Sequence, residues 1–352
     1  RRARDNATPS SLPLRRARPF LPDGREACAA VVAQASPRHR PPIALAKWTR
    51  RQRATIVIRM AADTSCGAVD AAPFTRADRT MKQEFSLAHL TVLGCAPPEM
   101  VYIAARAGYD YVSIRPIFMG LPGEPNYALA ENRQMLAQTR RALTSTGVRV
   151  HDIELARIFD GVTVRDYLPA MEVSAELGAK AVLSSIWGGE REYYIEKFAE
   201  LCDLAKPLGL SVDLEFVPIA AVRDLAGAAD VLRTIDRDNA GLMIDMHHFH
   251  RAGDDPAALD ALPREWFHFA HLCDAPAVIP TERQEMIRIL REARMYVGEG
   301  GIDVAGILAH IPHCVYSIEL PNKAAHEEMG YAEHATRCLE TLKAYLARDA
   351  RA

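Results

Sequence analysis

Four apolar runs in the second half of the sequence end in side chains that can bind a metal ion or transfer a proton. Glu215 ends the run LSVDLE, and Asp245 ends AGLMID, with His248 three residues further on. His271 lies near the end of WFHFAHL, and Glu319 near the end of CVYSIEL. Short apolar runs of this kind are typical of buried strands. Equivalent positions at the ends of consecutive strands would bring three carboxylates and an imidazole together.

Such a group of residues is stable only if something offsets the repulsion between its carboxylates. Ionised acids in one place disfavour each other's charge unless a cation lies between them. Mixed oxygen and nitrogen ligands suit one divalent ion, and we predict Mn²⁺, Mg²⁺, Co²⁺ or Zn²⁺. Each residue alone has an ordinary explanation, because strand-end acids often cap the next helix and isolated histidines are usually core groups. Four at equivalent positions favour the metal site.

The runs that carry these residues belong to a longer alternation of apolar and amphipathic segments. Eight strands are predicted, at residues 84–90, 109–115, 149–154, 179–186, 210–215, 240–245, 266–272 and 314–320. Helices are predicted at residues 97–107, 131–146, 164–177, 191–207, 221–235 and 324–347. This alternation predicts a parallel sheet with helical crossovers.

Residues 81–352 are therefore predicted to form an α/β fold, a TIM (β/α)8 barrel. A doubly wound open sheet is the alternative, but the segment AHLTVLGCAPPE after the first strand has no GxGxxG phosphate loop. In a TIM barrel the active site lies at the C-terminal ends of the strands. The candidate ligands fall at these ends.

On these residues the sequence resembles the xylose-isomerase-like TIM-barrel superfamily, the sugar phosphate isomerase/epimerase group. The resemblance covers residues 84–347 and rests on Glu215, the D-x-x-H of Asp245 and His248, the H-x-x-D of His271 and Asp274, the loop VGEGGID and Glu319. It implies that Glu215, Asp245, His271 and Glu319 bind the metal ion. It also implies that Glu215 and Glu319 are catalytic, one removing a carbon-bound proton and the other returning one.

The resemblance implies isomerisation or epimerisation of a sugar or sugar-like polyol through a metal-bound enediolate. If the second acid instead protonates a departing hydroxyl, the same site is a dehydratase of the inosose or 3-dehydroshikimate type. Less favoured alternatives are an endonuclease-IV-like nuclease, a two-metal aldose isomerase, and a non-catalytic barrel that binds a polyol or a protein. The motifs are specific for the superfamily and say little about the substrate.

Six further residues are predicted to contact the substrate. Four lie near the ends of the first four strands, opposite the metal ligands, one follows Asp245 by a helical turn, and one is in the GEG loop. They are His89, Arg115, Glu154, Trp187, His248 and Glu299. An arginine at such a position can hold a carboxylate or phosphate, although a salt bridge within the barrel rim is the alternative.

Residues 1–80 differ from the rest in composition and charge. They carry 16 Lys or Arg and 6 Asp or Glu, whereas the remaining residues carry 27 and 39. This Arg-, Ala- and Pro-rich segment is predicted to be a disordered basic extension, and whether it belongs to the native protein is left open. The acidic remainder is unsuited to nucleic acid. No run approaches the roughly 20 apolar residues of a membrane span.

Cysteine usage and site chemistry predict the surroundings and partners of the chain. The seven cysteines are scattered and form no CxxC pair, which predicts reduced thiols in a cytoplasmic protein. The expected partner is a small-molecule polyol or keto-sugar substrate. The resemblance adds a homo-oligomer, because barrels of this group are often dimers or tetramers.

Overall fold

The computed structural model describes residues 82–121 and 123–349. The predicted basic extension, residues 1–80, lies outside the described residues. The described strands are β1 (Phe85–Ala88), β2 (Tyr111–Ile114), β3 (Arg149–Ile158), β4 (Ala181–Ile186), β5 (Ser211–Glu215), β6 (Ala240–Leu242), β7 (Ile244–Asp245), β8 (Phe269–Leu272) and β9 (Val315–Ile318). The described helices are α1 (Pro97–Ala107), α2 (Arg133–Thr146), α3 (Leu168–Glu176), α4 (Arg191–Ala205), α5 (Leu225–Ile235), α6 (Met246–Ala252), α7 (Arg283–Glu292), α8 (Val304–Leu308) and α9 (Lys323–Asp349).

The strands form one parallel sheet that closes on itself. Their order is β6-β5-β4-β3-β2-β1-β9-β8-β7. β6 and β7 are two halves of one strand, separated by Met243, whose N–H donates to the Leu214 carbonyl oxygen at 3.0 Å. The first half pairs with β5 and the second with β8. The fold is the TIM barrel predicted from the sequence, and β6 with β7 is the predicted strand at residues 240–245.

Most predicted elements are present, and the differences have physical reasons. β3 continues to Ile158, four residues beyond its predicted end, because a bulge interrupts the alternation on which the prediction depends. The helices α6, α7 and α8 are missing from the prediction. α6 begins directly after β7 without a turn, α7 has few apolar residues, and α8 has only five residues.

The bulge in β3 changes which side chains face the inside of the barrel. Ile153 pairs with Val182, whereas Ala156 pairs with Ser184, so three steps along β3 match two along β4. Ile153 and Ala156 both belong to the hydrophobic core that the sheet shares with the helices. Strict alternation from Ile153 would turn Ala156 inward and Arg157 outward. The extra residue reverses this, and Arg157 faces inward.

A small apolar layer inside the barrel forms the floor of the site. It is separate from the larger core that packs against the helices. Its buried members are Leu155, Ala181, Leu183, Met243 and Phe269. Phe269 contacts His271 edge to face, with ring centroids 5.6 Å apart. This floor separates the polar side chains at the C-terminal ends of the strands from the opposite end of the barrel.

An ion pair lies at the level of this floor, between β5 and the residue that precedes β8. Asp213 Oδ1 lies 2.6 Å from His268 Nδ1, and Ser211 Oγ donates to Asp213 Oδ2 at 2.7 Å. Gly241, the residue paired with Asp213 on β6, leaves the room for this contact. A Cβ at Gly241 would lie 2.2 Å from Asp213 Oδ1 and 2.6 Å from His268 Nδ1. The buried Asp213 therefore has a partner that its strand position alone does not reveal.

His268→Gln is expected to remove a pH-dependent part of the stability. The hydrogen bond with Asp213 raises the pKa of His268, although burial opposes it. A pKa raised in the folded state gives stabilisation that is fully present below the unfolded pKa of about 6.5 and is lost as pH rises through the folded pKa. Urea unfolding should therefore show a larger difference between wild type and variant near pH 5.5 than near pH 9. An equal difference at both pH values would contradict this assignment, and Asp213→Asn should reproduce the effect.

Two smaller features concern membranes and thiols. None of the helices in residues 82–121 and 123–349 combines the length and apolar character that a bilayer span requires. The five cysteines in this part of the chain are buried and free, at positions Cys95, Cys202, Cys273, Cys314 and Cys338. Cys28 and Cys66 lie outside the described residues.

Candidate metal centre

The four predicted metal ligands lie at the C-terminal ends of neighbouring strands. Glu215 ends β5, Asp245 ends β7, His271 is on β8, and Glu319 directly follows β9. Asp245 pairs with His271, and His271 pairs with Ser317, so these three side chains face inward at one level. Glu319 lies at the next inward position above Ser317. The alternation of each strand thus turns the four side chains towards the barrel axis.

The structure brings these four side chains together. One ligand atom of each lies within 4.8 Å of one from every other residue in the group. His271 Nδ1 is 3.5 Å from Glu319 Oε2, 3.8 Å from Asp245 Oδ2 and 4.0 Å from Glu215 Oε1. All four residues are buried. The arrangement is one that a single ion can share.

His271 tests whether the group fits a metal ion. Its side chain is fully buried, yet neither ring nitrogen has a hydrogen-bond partner. An unsatisfied buried polar atom costs about 1–3 kcal/mol. Nδ1 faces three carboxylates, and three oxygen donors with one nitrogen suit Mn²⁺, Mg²⁺, Co²⁺ or Zn²⁺. These residues therefore fit one divalent ion.

Proximity and burial shift the pKa values of the group in different directions. Burial, together with the charges of Glu319 and Asp245, raises the pKa of Glu215 well above its ordinary value. Burial opposes ionisation of Glu319 as well, but Arg294 and His271 lower its pKa overall. Burial also disfavours the charged form of His271, but the carboxylates around it raise its pKa to about 10. In the metal-free group the two glutamates are thus unequal as acids.

Arg294 is the main site residue that the sequence interpretation misses. Its side chain is 1% exposed, and its guanidinium lies 2.6 Å from Asp245 Oδ2 and 2.8 Å from Glu319 Oε2. It also donates to the Glu319 carbonyl oxygen at 3.2 Å. A divalent ion leaves three carboxylates with one uncompensated negative charge, which Arg294 balances. That charge deficit is the one signal in the sequence that points to a further cation.

A short segment between α7 and the GEG loop, residues 293–295, directs the Arg294 side chain into the site. Ala293 and Met295 form antiparallel bridges with Asn322 and Asp274, respectively. The Asn322 side-chain amide donates to the Arg294 carbonyl oxygen at 2.9 Å. This segment has no regular apolar pattern, so its sequence does not mark Arg294 as a buried residue.

Asp274 organises the GEG loop. Its carboxylate accepts hydrogen bonds at 3.0 Å from the backbone N–H groups of Gly298, Gly300 and Ile302. Glu299, a predicted substrate contact, is exposed, and its Oε1 lies 3.1 Å from Arg337 Nη2. The loop conformation is therefore held by Asp274, while the Glu299 side chain forms a surface ion pair.

His248, a predicted substrate contact, lies beside the ligand group. Its Nε2 is 3.8 Å from Glu215 Oε1, and the residue is 3% exposed. Its backbone N–H donates to Asp245 Oδ1 at 3.0 Å, which caps the N-terminus of α6. Burial lowers the pKa of His248 to about 4, so its ring is neutral near pH 7. A neutral imidazole here can donate to or accept from a substrate hydroxyl.

Three other predicted substrate contacts bind one another. Arg115 Nη2 lies 3.1 Å from Glu154 Oε2, and the His89 N–H donates to Glu154 Oε1 at 3.2 Å. His89 Nδ1 accepts from the Arg115 N–H, and Nε2 donates to the Cys95 carbonyl oxygen. Arg115 Nη1 is also 3.5 Å from Glu124 Oε1. For Arg115 the structure thus has the rim salt bridge that was the alternative to substrate binding, and both ring nitrogens of His89 are engaged.

Glu154 also belongs to a second buried cluster. Ligand atoms of Asp152, Glu154 and His271 lie within 4.8 Å of one another. Ser113 Oγ is 2.5 Å from Asp152 Oδ2 and 3.0 Å from Glu154 Oε1. Burial raises the pKa of Glu154 to about 7, although the charge of Arg115 opposes this. Because Asp152 and Glu154 both already have polar partners, these two acids form a satisfied polar layer next to the metal centre.

Trp187, the remaining predicted contact, lies at the mouth of the barrel. Its Nε1 donates to Ser185 Oγ at 2.8 Å, and the Arg157 guanidinium lies 5.2 Å from its ring centre. Arg157 pairs with Ser185, and Ser185 pairs with Glu215, so these three side chains face inward at one level. The sequence interpretation ends the third strand at Glu154 and therefore does not find Arg157.

A protein-family model and several named proteins are similar to this chain. Residues 101–342 match the model of a family described as xylose isomerase-like TIM barrel. An inosose isomerase from Bacillus velezensis is 26% identical over 236 residues, which cover 62% of this chain and 81% of that protein. A 3-dehydroshikimate dehydratase from Pseudomonas aeruginosa is 27% identical over 241 residues, which cover 64% of this chain and 35% of that longer protein.

Solved structures share the fold. The crystal structure of the IolI protein with a binding zinc atom has a TM-score of 0.62 and 21% sequence identity, and the match covers 74% of this chain and 96% of that chain. At this level of identity the likeness shows the barrel architecture.

Proposed function

Because the chain belongs to the xylose isomerase-like TIM-barrel family, we propose that it is a divalent-metal-dependent isomerase or epimerase. Its substrate is a sugar or sugar-like polyol, and the reaction is proton transfer through an enediolate. The observation that carries the proposal is the buried imidazole of His271, which has no hydrogen-bond partner and faces the carboxylates of Glu215, Asp245 and Glu319. One relative is named inosose isomerase and another 3-dehydroshikimate dehydratase, so both isomerisation and dehydration occur among related proteins.

The residues around the ion have distinct tasks. When bound, a divalent ion polarises a ketone and so acidifies the neighbouring carbon-bound proton. Glu319, which Arg294 keeps ionised despite burial, is the base that removes this proton. Glu215, the other glutamate of the ligand group, returns a proton to carbon. Arg294 keeps the Asp245 and Glu319 carboxylates in place.

Dehydration is the second candidate function, and the relative named 3-dehydroshikimate dehydratase favours it. Loss of water needs a base for the carbon-bound proton and an acid for the departing hydroxyl. Glu319 and Glu215 are the two glutamates of the site that can perform these two tasks. The proton removed by Glu319 and the hydroxyl protonated by Glu215 then balance as one lost water and one new carbon–carbon double bond.

Removal of the metal ion tests the proposal. Elemental analysis of the purified full chain is expected to find one divalent ion per chain. Dialysis against EDTA should abolish turnover, and addition of Mn²⁺, Mg²⁺, Co²⁺ or Zn²⁺ should restore it, because the ion acidifies the substrate. Three zinc ions per chain would support a nuclease instead. Absence of any bound ion would support a non-catalytic barrel.

Product analysis separates the candidate reactions. We would screen ketoses, inososes and 3-dehydroshikimate in D₂O with each metal ion. Proton transfer through an enediolate places solvent deuterium on carbon, whereas a hydride shift retains the substrate hydrogen. A product with a new carbon–carbon double bond identifies dehydration. Full retention of the substrate hydrogen in an isomerised product would contradict the proposed mechanism.

A further inference from the structure

A positively charged region lies across the mouth from the metal ligands, although the barrel is acidic overall. The half-buried guanidinium of Arg157 packs 5.2 Å from the Trp187 ring centre and 6.0 Å from that of Phe159. Arg115 is paired with glutamates, but Arg157 has no carboxylate within 4.0 Å among the residues that the structure describes. Burial lowers the pKa of Arg157, and the charge of Arg291 acts in the same direction. An unpaired guanidinium of this kind is suited to an anionic ligand.

The second arginine of this region comes from α7, which crosses the mouth. At one side, Arg283 Nη1 donates to the carbonyl oxygen of Ile219, which follows β5. At the other side of the mouth, α7 and the residues that follow β1 and β2 line a cleft of about 230 Å³. The lining residues include Leu90, Leu121, Ile287 and Arg291. In the described part of the chain, Arg291 likewise has no carboxylate within 4.0 Å. Arg291 thus lies against the segment that follows β2, the strand beside β3, and its charge acts on the Arg157 guanidinium.

The strand register gives the separation between this region and the metal ligands. Arg157 pairs with Ser185 and Ser185 with Glu215, so two strand spacings separate Arg157 from Glu215. Two spacings place their Cα atoms about 10 Å apart. Both side chains face the barrel axis. A small substrate can thus place its ketone at the ligand group and an anionic substituent at Arg157.

We propose that Arg157 and Arg291 form an oxyanion subsite, and that the substrate is a polyol or keto-sugar bearing a carboxylate or phosphate. This inference rests on the proposed function, because it names the substrate class of the same site. A guanidinium can donate two parallel hydrogen bonds to either group. Trp187 holds one face of the Arg157 guanidinium and leaves its N–H groups free for the ligand. A bound anion also offsets the repulsion between the two arginines.

Three matched probes test the subsite by calorimetry on the metal-loaded full chain. D-glucitol is neutral, D-gluconate carries a carboxylate, and D-glucitol 6-phosphate carries a phosphate. At least one anionic probe is expected to bind about 10- to 100-fold more tightly than D-glucitol, as hydrogen bonds to charged groups allow. The tighter of the two identifies the anionic group. Arg157→Gln and Arg291→Gln should each reduce the ratio of the affinity for the anionic probe to the affinity for D-glucitol.

Arg288→Gln is the matched control. Arg288 lies one turn before Arg291 on α7 and is already paired with Glu285, with two contacts of 2.7 Å. This variant should keep the full preference for the anionic probe. An anion preference that persists in Arg157→Gln would mean that the metal centre holds the anion, and would overturn the inference.

The outcomes also distinguish this inference from the proposed function. A chain that binds one divalent ion and D-glucitol but shows no anion preference overturns the subsite alone. A chain that prefers the anionic probe through Arg157 but binds no divalent ion overturns the metal-dependent function alone. Circular dichroism of each variant excludes loss of folding as the cause.

Discussion

Glu319→Gln is expected to lower kcat by about 10²–10⁴-fold, the usual contribution of a positioned base. The amide is similar in size but cannot accept the proton, and it loses the charge that pairs with Arg294. Glu215→Gln should cause a loss of the same order, because the amide has no proton of suitable acidity to deliver. Steady-state kinetics at saturating metal ion, with the metal content of each variant measured, would provide the test.

Deuterium exchange distinguishes the two glutamates. In Glu215→Gln the base remains, so the substrate should still exchange its carbon-bound proton with D₂O while turnover is lost. In Glu319→Gln both exchange and turnover should be lost. Glu176→Gln is the control, because Glu176 is exposed on α3 and pairs only with the exposed Arg140 in the described structure. Turnover retained in both active-site variants would remove the proposed acid/base pair.

Arg294→Met is expected to destabilise the metal-free protein by about 3–5 kcal/mol, the cost of removing one partner from a buried ion pair. The guanidinium contacts both Asp245 and Glu319, and its side chain is 1% exposed. Without it, the carboxylates repel one another in a site that excludes solvent. Chemical denaturation in EDTA and in excess Mn²⁺ measures the effect, which should be larger in EDTA because the ion supplies the missing charge.

Two variants sharpen this result. Arg294→Lys keeps a charge, but its single ammonium cannot reproduce the planar contact with both carboxylates, so it should recover only part of the loss. Arg288→Met removes an exposed arginine of α7 and should change the free energy of unfolding by less than about 0.5 kcal/mol. A loss for Arg294→Met as small as that of Arg288→Met would show that the buried contacts do not stabilise the site.

The strand ends could be predicted from the sequence because their patterns are local. Glu215, Asp245, His271 and Glu319 each follow a short apolar run, and parallel pairing places such ends on one side of a barrel. The residue types then determine the chemistry. Gly108 and Gly147, which cap α1 and α2 in the left-handed conformation, are local signals of the same kind.

The residues that the sequence interpretation missed depend on non-local features. Arg294 reaches the site because two antiparallel bridges hold a segment without periodicity. Arg157 faces inward only because β3 has a bulge, and a bulge leaves no sign in an alternation pattern. Arg115 and Glu154, both predicted substrate contacts, lie where expected, but they form an ion pair with each other. The position of a residue along a strand therefore predicts which residues lie near it better than it predicts which residue it pairs with.

The bulge in β3 determines what the deletion of one residue would do to this strand. Because three residues there match two on β4, this strand supplies both Glu154 and Leu155 to the interior. Loss of one of them would restore regular pairing and leave Arg157 in the same direction. A one-residue deletion at this bulge would therefore keep the Arg157 side chain directed towards the barrel axis.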